Sequence, residues 1–224
     1  MSTITKKQEL GSGIYTVPDI ALLLGYPKYK VRRYLKKYWD DGLGKELFND
    51  KYSWSVHNDR KAVNFYVLIE LYTFFQLQEL GVNTRRVVKA RREMAKQLNS
   101  PYPFADRKLL TDGKQIWYYI DKDLITADIS AQVSFSQLIE TFAKNIEFSK
   151  NSLAMKFWPK GKENSVVVDP HHQFGQPVIN GSNIITDNIY SMYESGEKIE
   201  AISVLYDISK KEINDAIEFH KQAA

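Results

Sequence analysis

The stretch from Tyr15 to Trp39 reads YTVPDIALLLGYPKYKVRRYLKKYW, and it decides how the N-terminal part of the chain folds. Thr16 and Asp19 have the spacing of a capping box, which predicts the start of a short helix. Gly25 can take the positive φ that ends this helix, and Pro27 suits the first turn of the next one. The pattern therefore predicts two helices joined by a tight turn.

The second predicted helix has an apolar side and a basic side. Val31, Tyr34, Leu35 and Tyr38 recur at i, i+3, i+4 and i+7, which places them on one face. Six cations occupy the remaining arc: Lys28, Lys30, Arg32, Arg33, Lys36 and Lys37. A helix that docks through its apolar side and exposes a basic side has the form of a recognition helix in a DNA major groove. The alternative is a basic helix that is merely solvated.

A hairpin is predicted after these helices. The runs Tyr52–Val56 and Ala62–Phe65 have strand composition and flank turn-forming residues. Placed after two helices, such a hairpin would be a wing that lays Arg60 and Lys61 against the minor groove or the DNA backbone. A plain surface loop is the alternative.

Two longer helices follow the hairpin. Residues Phe65 to Leu80 are apolar on almost every side, which predicts the buried central helix of this part of the chain. Asn83 or Thr84 can cap a further helix that runs to about Leu98. Its cations are predicted to point largely outward: Arg85, Arg86, Lys89, Arg91, Arg92 and Lys96. This second basic run either contacts phosphates or is solvated.

These pieces, in this order, resemble the winged helix-turn-helix of MerR-like regulators. The residues that carry the resemblance are Tyr15 to Ala21 (YTVPDIA), Val31 to Leu35 (VRRYL), the hairpin, and Leu77 to Val82 (LQELGV). The resemblance implies that residues 1–98 form a DNA-binding domain. The residues expected at double-stranded DNA are Thr16, Lys28, Tyr29, Lys30, Arg32, Arg33, Lys36, Lys37, Arg60 and Lys61. The metal-sensing branch of that family, whose ligands are cysteines, is excluded because the chain has no cysteine.

The pattern changes from helices to strands after Ser100 to Pro103, which breaks the preceding helix. Hairpins are predicted for residues 109–120 and 146–157, and Ser136 can cap a helix between them. Residues 99–160 are therefore predicted to form a small α+β module. The module carries five aromatic residues that we interpret as core rather than as a stacking surface for bases: Trp117, Tyr118, Tyr119, Phe157 and Trp158.

Residues 161–224 are predicted to form a compact C-terminal domain. Short strands near Val166 and Val178 are followed by three short helices. Ser209 and Glu212 form a second capping box at the start of the last helix. The whole chain is therefore assigned to the α+β class.

The C-terminal part is similar to the small domain found in a group of VapB-type antitoxins and in related short proteins of unknown function. The segment Gly175-Gln176-Pro177-Val178-Ile179 and Gly181 fit that pattern, whereas Ser182-Asn183 replaces the usual Thr-Arg. The resemblance implies a protein that binds its own promoter and neutralises a neighbouring toxin, often a PIN-like ribonuclease. Gly175, Pro177 and Gly181 are interpreted as turn formers rather than contacts.

Composition limits the other possibilities. Residues 1–98 carry 18 Lys plus Arg and 10 Asp plus Glu, a net charge of +8, whereas residues 99–224 carry 13 and 17, a net charge of −4. This division predicts that one half meets phosphate and the other meets a different partner. No apolar run is long enough to span a membrane and no secretory signal is visible, so a cytoplasmic protein is expected.

Other chemistry is weakly indicated. His171 and His172 beside Asp169 could indicate a metal or acid-base site, but adjacent side chains diverge and no third ligand has suitable spacing. His57 and His220 lie in unrelated segments. We therefore expect no cofactor, no metal and no enzymatic activity.

The leading hypothesis is a DNA-binding antitoxin that represses its own promoter and acts as a homodimer, since one winged helix supplies few base contacts. A stand-alone winged-helix regulator without a toxin is the alternative. A pure protein-interaction module is the third possibility.

Overall fold

The computed structural model describes residues 13–43, 53–56, 60–79, 81–106, 140, 144–149 and 153–221. Within these ranges the fold is a mixture of helices and short antiparallel strand pairs, so the predicted α+β class is confirmed. The helices are α1 (Val17–Leu24), α2 (Lys28–Tyr34), α3 (Phe65–Glu79), α4 (Thr84–Leu98), α5 (Thr186–Glu194), α6 (Ile199–Tyr206) and α7 (Lys210–Lys221). The strands are β1 (Tyr15–Thr16), β2 (Ser53–Val56), β3 (Arg60–Val63), β4 (Ile146–Phe148), β5 (Ala154–Phe157), β6 (Val166–Val167) and β7 (Val178–Ile179).

The first helix begins and ends where the sequence predicted. The Asp19 carboxylate accepts hydrogen bonds from the Thr16 amide (2.8 Å) and the Thr16 hydroxyl (2.6 Å). Gly25 ends α1 with φ of 69°. Pro27, however, precedes α2 rather than entering its first turn, because its carbonyl accepts the hydrogen bonds of the Lys30 and Val31 amides. The two helices are still joined by a very short turn.

The second helix does not continue as an α-helix to Trp39, which corrects the prediction. From Leu35 to Leu43 the chain forms a π-helix, in which hydrogen bonds run from i to i+5 and each turn holds more residues. The wider turn moves the buried position along by one residue. Trp39 is therefore buried, with 3% of its surface exposed, whereas Tyr38 is only partly buried.

A hairpin forms where one was predicted, although its second strand is Arg60–Val63 rather than Ala62–Phe65, and it belongs to a three-stranded antiparallel sheet. The strand order is β1-β3-β2, with Trp54 opposite Ala62 and Tyr15 opposite Val63. Strand β1 was not predicted, because a two-residue strand is too short to show an alternating pattern. The sheet fixes the residues that immediately precede α1.

Helix α3 is the centre of the main core, as predicted. Its residues are buried along most of its length, including the polar side chains of Glu70 and Thr73. A short 3₁₀ turn at Pro103–Ala105 packs on it, and the Thr73 hydroxyl donates to the Phe104 carbonyl at 3.1 Å. Asn83 caps α4 by accepting a hydrogen bond from the Arg86 amide, so of the two predicted caps Asn83 is the one used.

The main core extends into the later part of the chain. The Tyr72 ring of α3 packs on Phe157 of β5, with ring centroids 4.9 Å apart. Phe157 and Val168 exchange two backbone hydrogen bonds of 2.9 and 2.8 Å. Val168 and Phe219 are buried in the same cluster as α3, so residues from the last helix complete the core around the first helices.

The C-terminal helices surround a second, smaller core. Strands β6 and β7 pair with Val166 opposite Ile179, and α5, α6 and α7 follow, as predicted. The second core consists of Ile179, Ile189, Ile202, Ile213, Ala216 and Ile217. The predicted capping box is also confirmed, because the Glu212 carboxylate accepts from the Ser209 amide (2.7 Å) and the Ser209 hydroxyl accepts from the Glu212 amide (3.2 Å).

Only part of the predicted middle module can be compared with the structure. The hairpin β4–β5 is confirmed, with Ile146 opposite Phe157. Phe157 and Trp158 are buried, as their interpretation as core residues predicted. The predicted hairpin at 109–120, the cap at Ser136 and the aromatic residues 117–119 lie outside the described residues.

Candidate nucleic-acid interface

The inner side of α2 is held against α3 by aromatic rings. Tyr34 packs on Phe74 and Phe75, with ring centroids 5.2 and 4.9 Å apart, and Val31 is fully buried. The Tyr34 hydroxyl donates to Gln78 Oε1 at 2.5 Å, and Gln78 Nε2 donates to the Thr84 hydroxyl at 2.6 Å. These contacts join α2 to α3 and to the start of α4, so α2 has a fixed orientation.

The opposite side of α2 and of the following π-helix is open to solvent. Its exposed cations, which we call the cationic face, are Lys28, Arg32, Arg33, Lys36 and Lys37. Tyr29 lies among them with 74% of its surface exposed. The aromatic contacts on the inner side therefore direct five positive charges away from the core.

Lys30 differs from the other five predicted cations. Its side chain is partly buried, and its ammonium group lies 3.9 Å from the centre of the Tyr26 ring and 5.0 Å from that of Phe75. The Tyr26 hydroxyl in turn donates a hydrogen bond to Glu79. The pKa of Tyr26 is raised, mainly by burial and then by this hydrogen bond. Lys30 thus supports the packing of α2 on α3 through a cation–π contact rather than joining the cationic face.

The remaining predicted interface residues lie in β1 and the hairpin. Thr16 is partly buried, and its amide and hydroxyl are both used by Asp19 at the start of α1. Arg60 and Lys61 lie in β3, opposite Val56 and Ser55 of β2.

The cations of α4 form the second basic run, and one of them, Arg91, does not point outward as predicted. Five cations of α4 are exposed, namely Arg85, Arg86, Lys89, Arg92 and Lys96, but Arg91 is buried with 1% of its surface exposed. Arg91 Nε donates to Glu70 Oε2 at 2.6 Å, and Arg91 Nη2 donates to the Pro101 carbonyl at 2.8 Å. The prediction was wrong because Arg91 lies four residues after buried Val87, on the inward side of α4.

The buried ion pair of Glu70 and Arg91 was missed by the sequence analysis. Burial raises the pKa of Glu70, while the Arg91 guanidinium and the backbone amide of Phe104 oppose that change. The guanidinium also lies 4.9 Å from the Trp39 ring centre, so the pair connects α3, α4 and the π-helix. A signal was present, since a carboxylate in the middle of a helix that is apolar on all sides requires a buried partner.

The histidine residues do not form a common site in the described part of the chain. His171 is exposed, whereas His172 Nε2 lies 3.2 Å from the Ser182 carbonyl. His220 Nε2 lies 3.0 Å from the Thr186 hydroxyl, and its ring stacks on Tyr190. Within the described ranges, no three His, Asp or Glu side chains lie together as a metal ion would require.

The turn that precedes β7 has an unusual backbone. Gln173, Phe174 and Gly175 follow one another with φ of 45°, 56° and 82°. The Ile14 amide donates to the Phe174 carbonyl at 3.3 Å, so this turn touches the start of β1. Gly181 also has a positive φ, of 80°, which agrees with the interpretation of both glycines as turn formers.

Of Ser182 and Asn183, which replace the usual Thr-Arg of the C-terminal pattern, Ser182 has a local structural role. The Ser182 hydroxyl donates to the Ile179 carbonyl at 3.0 Å and accepts from the Ile184 amide at 3.1 Å. Asn183 is exposed. Ser182 therefore closes the turn after β7.

No helix among the described residues is both long enough and apolar enough to cross a membrane.

Comparison with known proteins gives one family match and one related protein. Residues 166–220, which contain β6, β7 and α5 to α7, match the family described as protein of unknown function DUF433. The chain is also 25% identical over 167 residues to a Mycobacterium tuberculosis protein named "Putative antitoxin VapB45", covering 69% of this chain and 70% of that protein. This similarity therefore extends beyond the DUF433 segment.

The fold as a whole is similar to a solved structure. The crystal structure of Rv2018 from Mycobacterium tuberculosis superposes with a TM-score of 0.71 and 17% sequence identity, covering 91% of this chain and 96% of that one. The two chains share a fold over almost their entire lengths.

Proposed function

We propose that this protein is the antitoxin of a type II toxin–antitoxin module, a regulatory protein without enzymatic activity. The observation that carries the proposal is the similarity to the VapB45 relative, which covers more than two thirds of both chains. The DUF433 match in residues 166–220 supports it. The antitoxin would act in the cytoplasm by binding a PIN-like ribonuclease toxin through its acidic C-terminal half.

We propose further that residues 1–98 are a winged helix-turn-helix DNA-binding domain of the MerR-like kind. Residues 99–160 would be a small α+β module that shares the core of the first domain, and residues 161–224 the antitoxin-like domain. The cationic face of α2 supports this role, since aromatic contacts fix the helix while its positive charges remain open to solvent. Its N-terminal turn would enter the major groove, with the β2–β3 hairpin beside it.

The chain would bind its own promoter as a homodimer. One α2 helix reads only a few base pairs, whereas two related by a twofold axis read half-sites about one helical turn apart. Each lysine or arginine that neutralises a phosphate releases counterions, so the affinity should fall steeply as salt is raised. Repression would follow from occupation of the promoter.

The DNA-binding part is tested with a fluorescently labelled fragment of the protein's own promoter. Binding is measured by anisotropy at about 50 mM and about 200 mM salt for the wild type and the double variant Arg32→Ala/Arg33→Ala. The variant is expected to lose at least about tenfold in affinity and to show a shallower salt dependence. A circular dichroism melt verifies that the exposed substitutions leave the fold intact.

A matched control removes two exposed cations from a different helix. Arg85→Ala/Lys89→Ala changes the net charge by the same amount on α4. A smaller loss for this control than for the α2 variant supports α2 as the DNA reader. Equal losses would mean only a non-specific charge effect, and unchanged binding of the α2 variant would exclude α2 from the interface.

The antitoxin part is tested by co-expression with the product of the neighbouring reading frame. Relief of that product's growth inhibition, together with co-purification of a complex, supports the antitoxin role. Promoter binding without any such relief would favour the stand-alone regulator.

A further inference from the structure

Tyr29 is an exposed aromatic residue at the start of α2. It is the second residue of the helix, and 74% of its surface is accessible to solvent. The other aromatic residues of this segment, Tyr34, Tyr38 and Trp39, all pack against the core. Packing therefore accounts for the other rings but gives no reason for the ring at position 29.

The position of Tyr29 on the helix is opposite to the buried side. At about 100° per residue, Tyr29 and Arg33 both lie about 160° around the helix from Val31. Val31 is fully buried, so these two side chains point most directly away from the core. Arg32 lies about 100° from Val31, at the edge of the exposed side. If α2 lies in a groove, Tyr29 and Arg33 face its floor, and Tyr29 is the nearer of the two to the start of the helix.

We infer that Tyr29 reads a thymine base in the operator, an inference that rests on the proposed DNA-binding function. Residues at the start of a recognition helix are the ones that reach base edges. In the major groove, the C5 methyl of thymine is an apolar group that a tyrosine ring can contact. Cations at the edge of the exposed side, such as Arg32, supply affinity through phosphates, while an uncharged ring adds discrimination between bases.

This division of roles makes the contribution of Tyr29 separable from that of the cations. Counterion release depends on positive charge, so removal of a neutral ring leaves the salt dependence unchanged. Loss of a base contact instead changes which sequences are preferred. Tyr29 is therefore a specificity residue whose loss changes the preferred sequence without changing the salt dependence, whereas the loss of a cation changes the salt dependence.

The experiment selects binding sites for the full chain from a randomised double-stranded DNA library. The wild type is expected to enrich a motif with an A·T pair at a fixed position, and Tyr29→Ala to lose the preference at that pair alone. Affinity for the wild-type motif should fall about tenfold in the variant, with an unchanged salt dependence. Leu205→Ala, which truncates an exposed side chain on α6, should select the same motif as the wild type.

A second measurement identifies the atom that is read. Replacing the selected thymine by uracil removes only its methyl group, which should weaken wild-type binding about fourfold. The same replacement should not affect Tyr29→Ala, whereas Tyr29→Phe should respond as the wild type does.

The outcomes separate the inference from the function on which it rests. If Tyr29→Ala enriches the same motif as the wild type, or if uracil weakens binding equally in both, Tyr29 does not read thymine although the chain still binds DNA. If the wild type shows no salt-dependent binding to any duplex, the DNA-binding function fails and the inference fails with it.

Discussion

The Tyr15 side chain fills the space in which a β-carbon at Gly175 would lie. Such an atom would be 2.8 Å from Tyr15 Cζ and closer still to the hydroxyl oxygen. Gly175 also has φ of 82°, a conformation that residues with a β-carbon rarely adopt. The residue just before the Thr16 cap of α1 thus packs on the turn before β7, 160 positions later in the chain.

Gly175→Ala is expected to destabilise the fold by about 2–4 kcal/mol, because it adds steric overlap to backbone strain. Gly181→Ala is the control, since Gly181 has φ of 80° but no atom within 4 Å of its β position. The control should lose only about 1 kcal/mol. Urea unfolding measures both, and equal losses would show that the contact with Tyr15 contributes nothing.

The contact itself is tested by a second substitution. Tyr15→Phe removes the hydroxyl that is the nearest atom to the added methyl group. The double variant Tyr15→Phe/Gly175→Ala should therefore be less destabilised than the sum of the two single variants. Additive losses would contradict the packing of these two residues.

Removal of one partner of the Glu70–Arg91 pair is expected to lower the free energy of unfolding more than replacement of both partners by apolar residues. Glu70→Gln leaves the Arg91 charge buried without its carboxylate, which should cost about 3–5 kcal/mol. The double variant Glu70→Leu/Arg91→Met removes both charges and should be more stable than either single variant. Thermal unfolding of the wild type, of Glu70→Gln, of the single variants Glu70→Leu and Arg91→Met and of their double variant gives the comparison, and a double variant less stable than both of its singles would overturn it.

His220 is expected to make the stability depend on pH. Burial lowers its pKa, and the nearby Asp187 opposes this change only in part. The folded chain therefore resists a proton that the unfolded chain takes up near its ordinary pKa of about 6.5. The free energy of unfolding should fall as the pH is lowered from about 7.5 through that range.

His220→Gln should reduce this fall while keeping a hydrogen-bonding partner for Thr186. Tyr190, which stacks on His220, stays in place, so the comparison isolates the imidazole. His171→Gln is the control because His171 is exposed. Urea midpoints at about pH 7.5 and pH 5 provide the measurement, and a pH dependence unaltered by His220→Gln would contradict the assignment.

Tyr34→Phe is expected to destabilise the fold by about 1 kcal/mol, since it removes the hydrogen bond to Gln78 at 2.5 Å. Tyr29→Phe changes the same group on the exposed side of α2 and should leave the stability unchanged. Chemical unfolding of the two variants side by side makes the comparison. An effect of equal size in both would mean that the Tyr34 hydroxyl has no structural role.

The features that the sequence predicted are those that depend on residues close together in the chain. The caps at Thr16 and Ser209, the turn at Gly25 and the burial of α3 each follow from residues a few positions apart, and the structure contains all four. The apolar face of α2 was predicted for the same reason.

The features that depend on distant residues were not predictable in this way. The hydrogen bond of Arg91 to Glu70, 21 residues earlier, depends on how α4 packs on α3, although the spacing of Arg91 from Val87 already indicated an inward position. Trp39 of the π-helix packs against the Arg91 guanidinium, which is 52 positions later in the chain. At the candidate interface, the spacing predicted the exposed cations, but the placement of Lys30 near Phe75 follows from the packing of α2 on α3.

The burial of Phe219 in the main core has a consequence for folding during synthesis. A nascent chain that ends at residue 98 contains α1 to α4. It lacks Phe157, Val168 and Phe219, which belong to the same core. The helices proposed to read DNA would stay incompletely packed until α7 emerges from the exit tunnel. Premature termination upstream of α7 should therefore yield a product exposed to proteolysis, so that only complete translation would leave folded protein in the cell.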